Sequence, residues 1–591
     1  MTNRDQKKVW REKRKMLEKE KNKESIRVGV FVCHCGTNIG GVIDCSALAE
    51  YARMLTNVAF SEDNQYTCAE TGLTSIKTAI KEKNLNRIVV ASCTPRTHEP
   101  LFRKCVSDAG INPYLFNFVN IREQCSWVHM DYPDAAFEKA KDLIRMGVAK
   151  SIMLQPLEMI KIGVTQEAVV IGGGISGMNT ALSLSRQGFK THLVEKEYIL
   201  GGRLNSLYKL FPHDTEASEL IEDVKTKINN SKNLKVYTEA VVKSVDGYIG
   251  NYNIKILQLD RIIDLKVGTI IVAVGASLLI PENLYGYDGK SRITQHELES
   301  KLKAEEKISD KIVMIQCAGS RIKERIYCSN VCCMTALKNA LIIKDRKPDS
   351  NITILFRDIY APGTYEDYYR RARESGVLFI KYTEDKLPIV EETQVKVFNE
   401  YIGEKMILPY NLLVLSTPLI ANYDNKELSQ MLKVPLEPNN FFLEAHVKLR
   451  PVDFATEGIF VCGSAKWPVD VSESIVQGLA AASRASTIIS NKNLNFSGSI
   501  AEVEESKCNG CGDCRDACVY NAVEMVETRI EFKAIRDSFI PSTALIKHKS
   551  KVIPSMCKGC GVCVGICPVG ALSLKNFTNE QIGVEIESYL S

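Results

Sequence analysis

Two runs of four cysteines near the C-terminus constrain this chain more than any other feature. Cys508, Cys511, Cys514 and Cys518 follow the spacing C-x2-C-x2-C-x3-C, and Cys557, Cys560, Cys563 and Cys567 repeat it, with Pro568 after the last. With that spacing, three thiolates of a run converge on one four-iron cube while the fourth reaches the cube of the other run. Gly510, Gly512, Gly559 and Gly561 supply the backbone freedom needed to fold around such a group. Zinc sites use paired C-x2-C units instead, so this register points to iron and sulfur. Val519 stands where the second run has proline, which changes a turn and removes no ligand.

The tail, residues 501–591, therefore reads as a two-cluster bacterial ferredoxin domain. Cysteine usage elsewhere agrees with ligation. The chain holds 20 cysteines in 591 residues, none between Cys125 and Cys317 and four between Cys317 and Cys333. No apolar leader precedes them, so a reducing, cytoplasmic setting and metal binding are expected rather than a disulfide framework. No run approaches the roughly 18 to 20 apolar residues that span a bilayer. The net charge of +5 is matched by residues 1–25 alone, with ten Lys or Arg against five acids, and gives no footing for nucleic-acid binding. That segment reads as a charged N-terminal extension.

From Ile26, apolar runs alternate with amphipathic stretches. Ile26–Val32, Arg87–Ala91 and Tyr114–Val119 read as buried strands, and Ala47–Leu55, Leu73–Lys83 and Ala135–Met146 as helices. Residues 26–150 are thus expected to form a parallel α/β domain carrying iron and sulfur. After a linker around Gln155–Gln166, strand-like runs recur at Ala168–Ile171, Thr269–Val274, Lys311–Ile315, Asn351–Leu355, Leu412–Leu415 and Gly458–Val461. Residues 166–490 form a second α/β domain on this reading, and the polar stretch Asn491–Ser506 a linker.

Ala168–Ile171 leads into Gly172-Gly173-Gly174-Ile175-Ser176-Gly177, a G-x-G-x-x-G between strand and helix, with Glu195 closing the next strand 18 residues on. Gly172 allows the tight turn, Gly174 admits a pyrophosphate and Gly177 lets the helix pack closely. Ser176 lies in the first helical turn, and Glu195 suits a ribose. The downstream segments favour FAD over NAD. Glu195-Lys196, Leu200-Gly201-Gly202-Arg203, the strand ending at Gly275 and the segment Thr456–Gly463 resemble the flavin-binding segments of two-dinucleotide-domain flavoproteins. Ser464 replaces the usual acid after Gly463.

Thioredoxin-reductase-like flavoproteins bind NADPH on a second glycine-rich turn. At the corresponding place this chain has Lys311–Ile315, then Cys317, Cys328, Cys332 and Cys333. Four cysteines as C-x10-C-x3-C-C can hold one cubane cluster; a redox-active disulfide is the competing reading.

With these parts in view, the chain is similar to the flavin-bearing A subunits of heterodisulfide reductases over nearly all of residues 26–591. The specific strings are Val32-Cys33-His34-Cys35-Gly36-Thr37-Asn38, Ser92-Cys93-Thr94-Pro95-Arg96, Asn120 through His129, and Gln316-Cys317 through Cys333-Met334. The resemblance implies a multidomain α/β protein: an N-terminal parallel α/β domain, a thioredoxin-reductase-like two-part Rossmann flavoprotein domain, and the ferredoxin tail. It implies one FAD and four 4Fe-4S clusters: one N-terminal, one beside the flavin on Cys317, Cys328, Cys332 and Cys333, and two in the tail. For the N-terminal cluster, four of Cys33, Cys35, Cys68, Cys93 and Cys125 would serve, while Cys45 and Cys105 read as core residues and His34 and His98 as neighbours of the ligands. It also implies Glu299 and Lys338 as the polar pair near the flavin ring, the lysine stabilising an anionic reduced flavin and the carboxylate exchanging protons with it.

Two departures stand out. The interval Gly202–Thr269 contains no cysteine, so the ferredoxin domain that many relatives carry as an insertion is missing. After Phe211-Pro212, where many relatives have a cysteine pair, this chain reads His213-Asp214-Thr215. The function implied is flavin-based electron bifurcation, or its reverse, between a two-electron donor, a ferredoxin and a high-potential partner. The implied companions are B- and C-like subunits, a second copy of the chain, and a hydrogenase- or dehydrogenase-linked input subunit. A linear relay feeding a separate catalytic subunit, and a scaffold whose FAD is structural, are the alternatives.

Overall fold

The computed structural model describes residues 25–530 and 545–591, so the charged N-terminal extension lies, except for Ser25, outside the described residues. Two compact units emerge. One comprises the described residues up to Ile160 together with Asn495–Ser591, the other Lys161–Leu494.

The first unit opens with β1 (Val28–Cys33), all six residues buried, as a strand covered on both faces requires. The chain continues through α1 (Cys45–Arg53), β2 (Val58–Asn64), α2 (Glu70–Glu82), β3 (Arg87–Ser92), α3 (Pro95–Asp108), β4 (Phe116–Asn120) and α4 (Pro133–Met153). The strands form one parallel sheet in the order β2-β1-β3-β4. The sequence pattern alone does not reveal β2. It is an edge strand of partly exposed, acid-bearing residues, VAFSEDN, with no apolar run to announce it.

The second unit contains two five-stranded parallel sheets. In the first are β5 (Glu167–Ile171), then, after α5 (Ile175–Arg186), β6 (Lys190–Val194); a short hairpin of β7 (Lys209–Leu210) and β8 (Thr215–Glu216) precedes β9 (Leu234–Tyr237) and β10 (Thr269–Val272). The second sheet takes up β11 (Arg292–Thr294), β12 (Lys311–Ile315), β13 (Asn351–Phe356), β14 (Leu378–Lys381) and β15 (Leu412–Leu415), with α6 (Gln295–Lys303), α7 (Cys332–Arg346) and α8 (Glu366–Glu374) packed on it. The chain then returns to the first sheet with β16 (Ile459–Val461), backed by α9 (Val471–Ile489).

The orders are β9-β6-β5-β10-β16 and β11-β15-β12-β13-β14. Each reverses direction once, between β5 and β10 and between β12 and β15. Such switch points open a crevice beyond the carboxyl ends of the strands, where ligands bind.

The stretch Asn491–Ser506, expected as a linker, contains two short strands, one of them β17 (Ala501–Val503). The tail then folds as the hairpin β18 (Val523–Ile530) and β19 (Leu545–Val552), followed by β20 (Leu572–Leu574), which pairs with β17, and α10 (Asn579–Leu590). Within the first unit α10 lies along α4. Glu585 pairs with Lys150 at 2.8 Å, and the Gln581 amide donates to the Met153 carbonyl at 3.0 Å. Asn576 exchanges two hydrogen bonds with the Gln155 backbone, each 2.9 Å. The ferredoxin tail is therefore locked to the N-terminal domain.

Candidate functional site

At the first switch point, β5 runs into the glycine-rich turn. Gly172 adopts φ +109°, and a Cβ there would lie 2.3 Å from the Ala273 carbonyl oxygen, so β10 allows nothing larger. A Cβ on Gly177 would sit 1.9 Å from the Gly172 carbonyl oxygen. Gly174, the N-cap of α5, differs: nothing lies within 4 Å of its Cβ position, and Gly275 on the adjacent strand end is equally open. Open glycines at a helix N-terminus make a cradle that fits a pyrophosphate.

Glu195 is buried at the end of β6. Its Oε2 accepts from the Gly173 N–H at 2.6 Å and its Oε1 from the Glu197 N–H at 2.8 Å, leaving each oxygen a second lone pair for ribose hydroxyls. A cleft partly open to solvent runs from Gly172 and Glu195 past Lys196 to Tyr423 and Asp424. Lys196 pairs with Asp424 at 3.1 Å. Ser176 faces Gly463, whose N–H donates to Gln477 at 2.9 Å, and Ser464 donates to the Val469 carbonyl at 3.4 Å. Gly202 lies against Gly174, since a Cβ on it would be 3.2 Å from the Gly174 Cα.

Arg203 comes next and leads away from this cradle. It lies in the field of Glu299 and of Cys332, and burial lowers it to about 10. Its buried Nε has no partner. Glu299 on α6 and Lys338 on α7 form a short ion pair, 1% and 3% exposed. Lys338 also donates to the Lys209 carbonyl at 2.8 Å, and Glu299 Oε1 accepts from the Tyr208 N–H at 2.9 Å, while Glu299 Oε2 meets no donor. Burial lowers the Lys338 ammonium and Glu299 opposes the shift. His296, whose buried Nδ1 also lacks a partner, is lowered by burial and by Arg203. Three polar atoms without partners around one ion pair fit the polar edge of a flavin ring.

At the second switch point stand thiols. Cys317 lies two residues past the end of β12 in a left-handed conformation, φ +56°. Cys332 and Cys333 open α7, and Cys332 Sγ donates to the Thr417 carbonyl just beyond β15 at 3.4 Å. Burial and then the neighbouring thiols push Cys333 up to about 12 and raise Cys317, with Arg321 drawing Cys317 back. Cys328 contributes to the field at Cys317, Cys332 and Cys333 alike. The structure thus gathers all four where a second nucleotide would otherwise sit.

In the N-terminal domain Cys33, Cys35, Cys68 and Cys93 all lie at the carboxyl ends of β1, β2 and β3. Burial, then Cys33 and Cys93, raise Cys35 and Cys68, with Arg122 opposing at Cys35. Cys125 does not join them. It sits in the core and donates to the Ala136 carbonyl at 3.0 Å; burial pushes its thiol up to about 11, with Lys139 opposing. Cys45 and Cys105 also donate to carbonyls from within the core, as expected. His34 pairs with Asp63 at 3.5 Å.

In the tail, a small cavity is lined by Cys557, Cys560 and Cys563 together with Cys518, the last cysteine of the other run. That is the crossed ligand set its spacing implies. The Ala522 and Ala571 N–H groups donate to Cys518 and Cys567 Sγ, each at 3.2 Å. Cys508 and Cys514 face Ser550, and Cys511 is exposed. Val519 is 80% exposed and breaks nothing. Among the described residues no group of three or more His, Cys, Asp or Glu closes around a point as one bound ion needs, whereas the corners of a cube are more widely spaced. No helix among them is long and apolar enough to cross a membrane.

The profile of the pyridine nucleotide-disulphide oxidoreductase family matches residues 166–319, and that of the 4Fe-4S dicluster domain residues 507–571. The iron-sulfur A subunit of a CoB–CoM heterodisulfide reductase from Methanopyrus kandleri is 37% identical, over 85% of this chain and 92% of its own length. The A subunit of an H2:CoB-CoM heterodisulfide,ferredoxin reductase from Methanothermobacter thermautotrophicus is 36% identical, over 86% and 92%. A solved thioredoxin reductase from Lactococcus lactis aligns with 55% of this chain and 99% of its own, at 17% identity and a TM-score of 0.40.

Proposed function

The chain belongs to the family of heterodisulfide reductase A subunits, oxidoreductase components with a flavoprotein domain and a two-cluster tail, and from that premise we propose that it splits or merges electron pairs at its flavin. The exchange runs between a two-electron donor, a ferredoxin and a high-potential partner subunit. The gathering of Cys317, Cys328, Cys332 and Cys333 at the second switch point carries this reading, because it puts thiolates where a hydride-donating nucleotide would bind.

Gly172, Gly174, Ser176, Gly177, Glu195, Lys196, Gly202, Arg203, Gly275 and Gly463 would hold FAD. Bound there, FAD supplies the conversion between two-electron and one-electron chemistry, since each cluster carries one electron. The four switch-point cysteines would hold one cubane, Cys33, Cys35, Cys68 and Cys93 a second, and the tail two more. Glu299 and Lys338 hold and exchange the proton that accompanies electrons at the ring. Arg203, in the field of both Glu299 and Cys332, would add a positive charge close to the ion pair and to the switch-point cysteines.

A relative in Methanococcus maripaludis is the A subunit of an H2/formate:CoB-CoM heterodisulfide,ferredoxin reductase. A complex with B- and C-like subunits and a hydrogenase- or dehydrogenase-linked input subunit is the matching assembly for this chain, built on two copies of it. Spectroelectrochemistry of the anaerobically purified complex tests the proposal. Crossed one-electron flavin potentials are expected; uncrossed potentials would leave a linear relay, and rapid hydride uptake from NADPH by the isolated chain would refute the reading altogether.

A further inference from the structure

We propose that Asp214 is the surface carboxylate through which protons pass between solvent and the buried Glu299 and Lys338 pair. The inference rests on that pair serving the flavin, and it names how the pair is resupplied.

A sealed pair cannot exchange protons with water by itself, and one short hairpin connects it to the outside. At the base of the hairpin, the Tyr208 N–H donates to Glu299 and the Lys209 carbonyl accepts from Lys338. β7 and β8 pair antiparallel, Lys209 with Glu216 and Leu210 with Thr215, so residues 211–214 form the turn. Asp214 closes that turn in a left-handed conformation, φ +54°, with its side chain 36% exposed. The carboxylate therefore stands at the water-facing end of the strand pair whose other end grips the ion pair.

The surroundings of Asp214 suit a relay. The buried Tyr368 hydroxyl donates to it at 2.6 Å, and the Arg371 guanidinium lies 3.7 Å away. Asp214 contributes to the field at Lys338, where Glu299 is the stronger charge. Arg203 and His296 also lie in the field of Glu299. Phe211 packs edge-on against Tyr365, with ring centroids 5.3 Å apart, and both belong to the apolar packing around α6 and α7. Asp214 is the one carboxylate of the turn, with the exposed His213 beside it and the exposed Glu216 on β8.

Asn tolerates a left-handed backbone at least as well as Asp, so Asp214→Asn keeps the turn and the acceptor for Tyr368 while removing the titratable carboxyl together with its charge. The test uses the anaerobically purified, FAD-loaded full chain, reduced by dithionite and followed by loss of the flavin's visible absorbance. Dithionite is oxidised to sulfite and gives its electrons to the flavin. The accompanying proton comes from the Glu299 and Lys338 pair, which Asp214 reloads from water.

D214N should unfold at the parent's temperature, with and without FAD, yet be reduced about tenfold more slowly or worse. The deficit should grow as pH rises and hydronium becomes scarce. Imidazole or formate added as a small proton carrier should restore the rate in D214N and leave the parent unchanged. Reduction at the parental rate at every pH would overturn the proposal, and so would a slowing that neither carrier relieves. E299Q and K338M run alongside. If they too are reduced at the parental rate, the assignment of the buried pair to the flavin fails; if they slow and D214N does not, only the inlet does.

Discussion

Gly174 and Gly177 stand one turn apart at the start of α5 and differ completely in what surrounds them: a Cβ on Gly177 would lie 1.9 Å from the Gly172 carbonyl oxygen, while one on Gly174 would meet nothing within 4 Å. Gly174 also has φ −72°, which any residue adopts. Gly174→Ala is therefore expected to leave folding intact and place a methyl group in the phosphate cradle. FAD affinity should fall tenfold or more, ~1.4 kcal/mol or above. Gly177→Ala should instead disrupt the packing of α5 on β5 and lower the yield of folded protein. Flavin titration of the two apoproteins separates the cases; equal FAD affinity in G174A and the parent would mean that the pyrophosphate sits elsewhere.

Cluster content distinguishes the N-terminal cysteines. The parent, purified without oxygen, should hold about sixteen iron atoms per chain in four cubanes. Cys33→Ser, Cys35→Ser, Cys68→Ser or Cys93→Ser should each lose about four. Cys125→Ser should lose none, because its thiol points at the Ala136 carbonyl and not at the other four. Iron analysis decides, and a loss of iron in C125S would restore Cys125 as a ligand.

Why the sequence left Cys125 open is instructive. All five candidates follow strand ends, and linear spacing says nothing of the direction a thiol takes from a turn. Cys125 lies in a wide helical turn, Arg122–Ser126, whose geometry carries its side chain inward to α4. The tail was legible for the opposite reason: within each run three cysteines are separated by two residues each, so spacing alone brings them together, whereas the meeting of Cys518 with Cys557, Cys560 and Cys563 is set by the fold. The glycine-rich turn was legible because Gly172 and Gly177 are demanded by contacts that side chains cannot share. Hidden from the sequence were the edge strand β2, too polar to show a period, and the seating of α10 on α4, which depends on surfaces more than 400 residues apart, as in the Gln581 to Met153 contact.

Removing one member of the Glu299 and Lys338 pair should be far worse than removing both. Lys338→Met strands a buried carboxylate whose Oε2 already lacks a donor, and a loss of about 3–5 kcal/mol is expected. Glu299→Gln with Lys338→Met removes both charges of the pair, leaving Arg203 as the buried cation nearby, and should recover much of that loss. Urea unfolding of the FAD-free chain measures this. A double variant as unstable as the K338M single would mean that the pair contributes through packing and not through charge.

Acid should weaken the flavin sheet at a second, structural site. His192 on β6 is almost wholly buried, with Nε2 2.9 Å from Glu167 and Nδ1 3.1 Å from the Tyr237 hydroxyl. Burial holds its pKa below the ordinary 6.5, with Glu167 pulling the other way. As pH falls below about 6.5, the unfolded chain binds a proton here before the folded one does, so stability present above that value drains away until the folded imidazole titrates. Burial would raise Glu167, but hydrogen bonds from His192 and Lys190 hold it below 4.5, so its own contribution is lost in the same direction at lower pH. The urea midpoint for FAD release should therefore fall between neutral and mildly acidic pH in the parent and fall less in His192→Gln, whose amide can still bond both neighbours. Identical slopes in the two proteins would show that the acid sensitivity of this sheet arises from other groups.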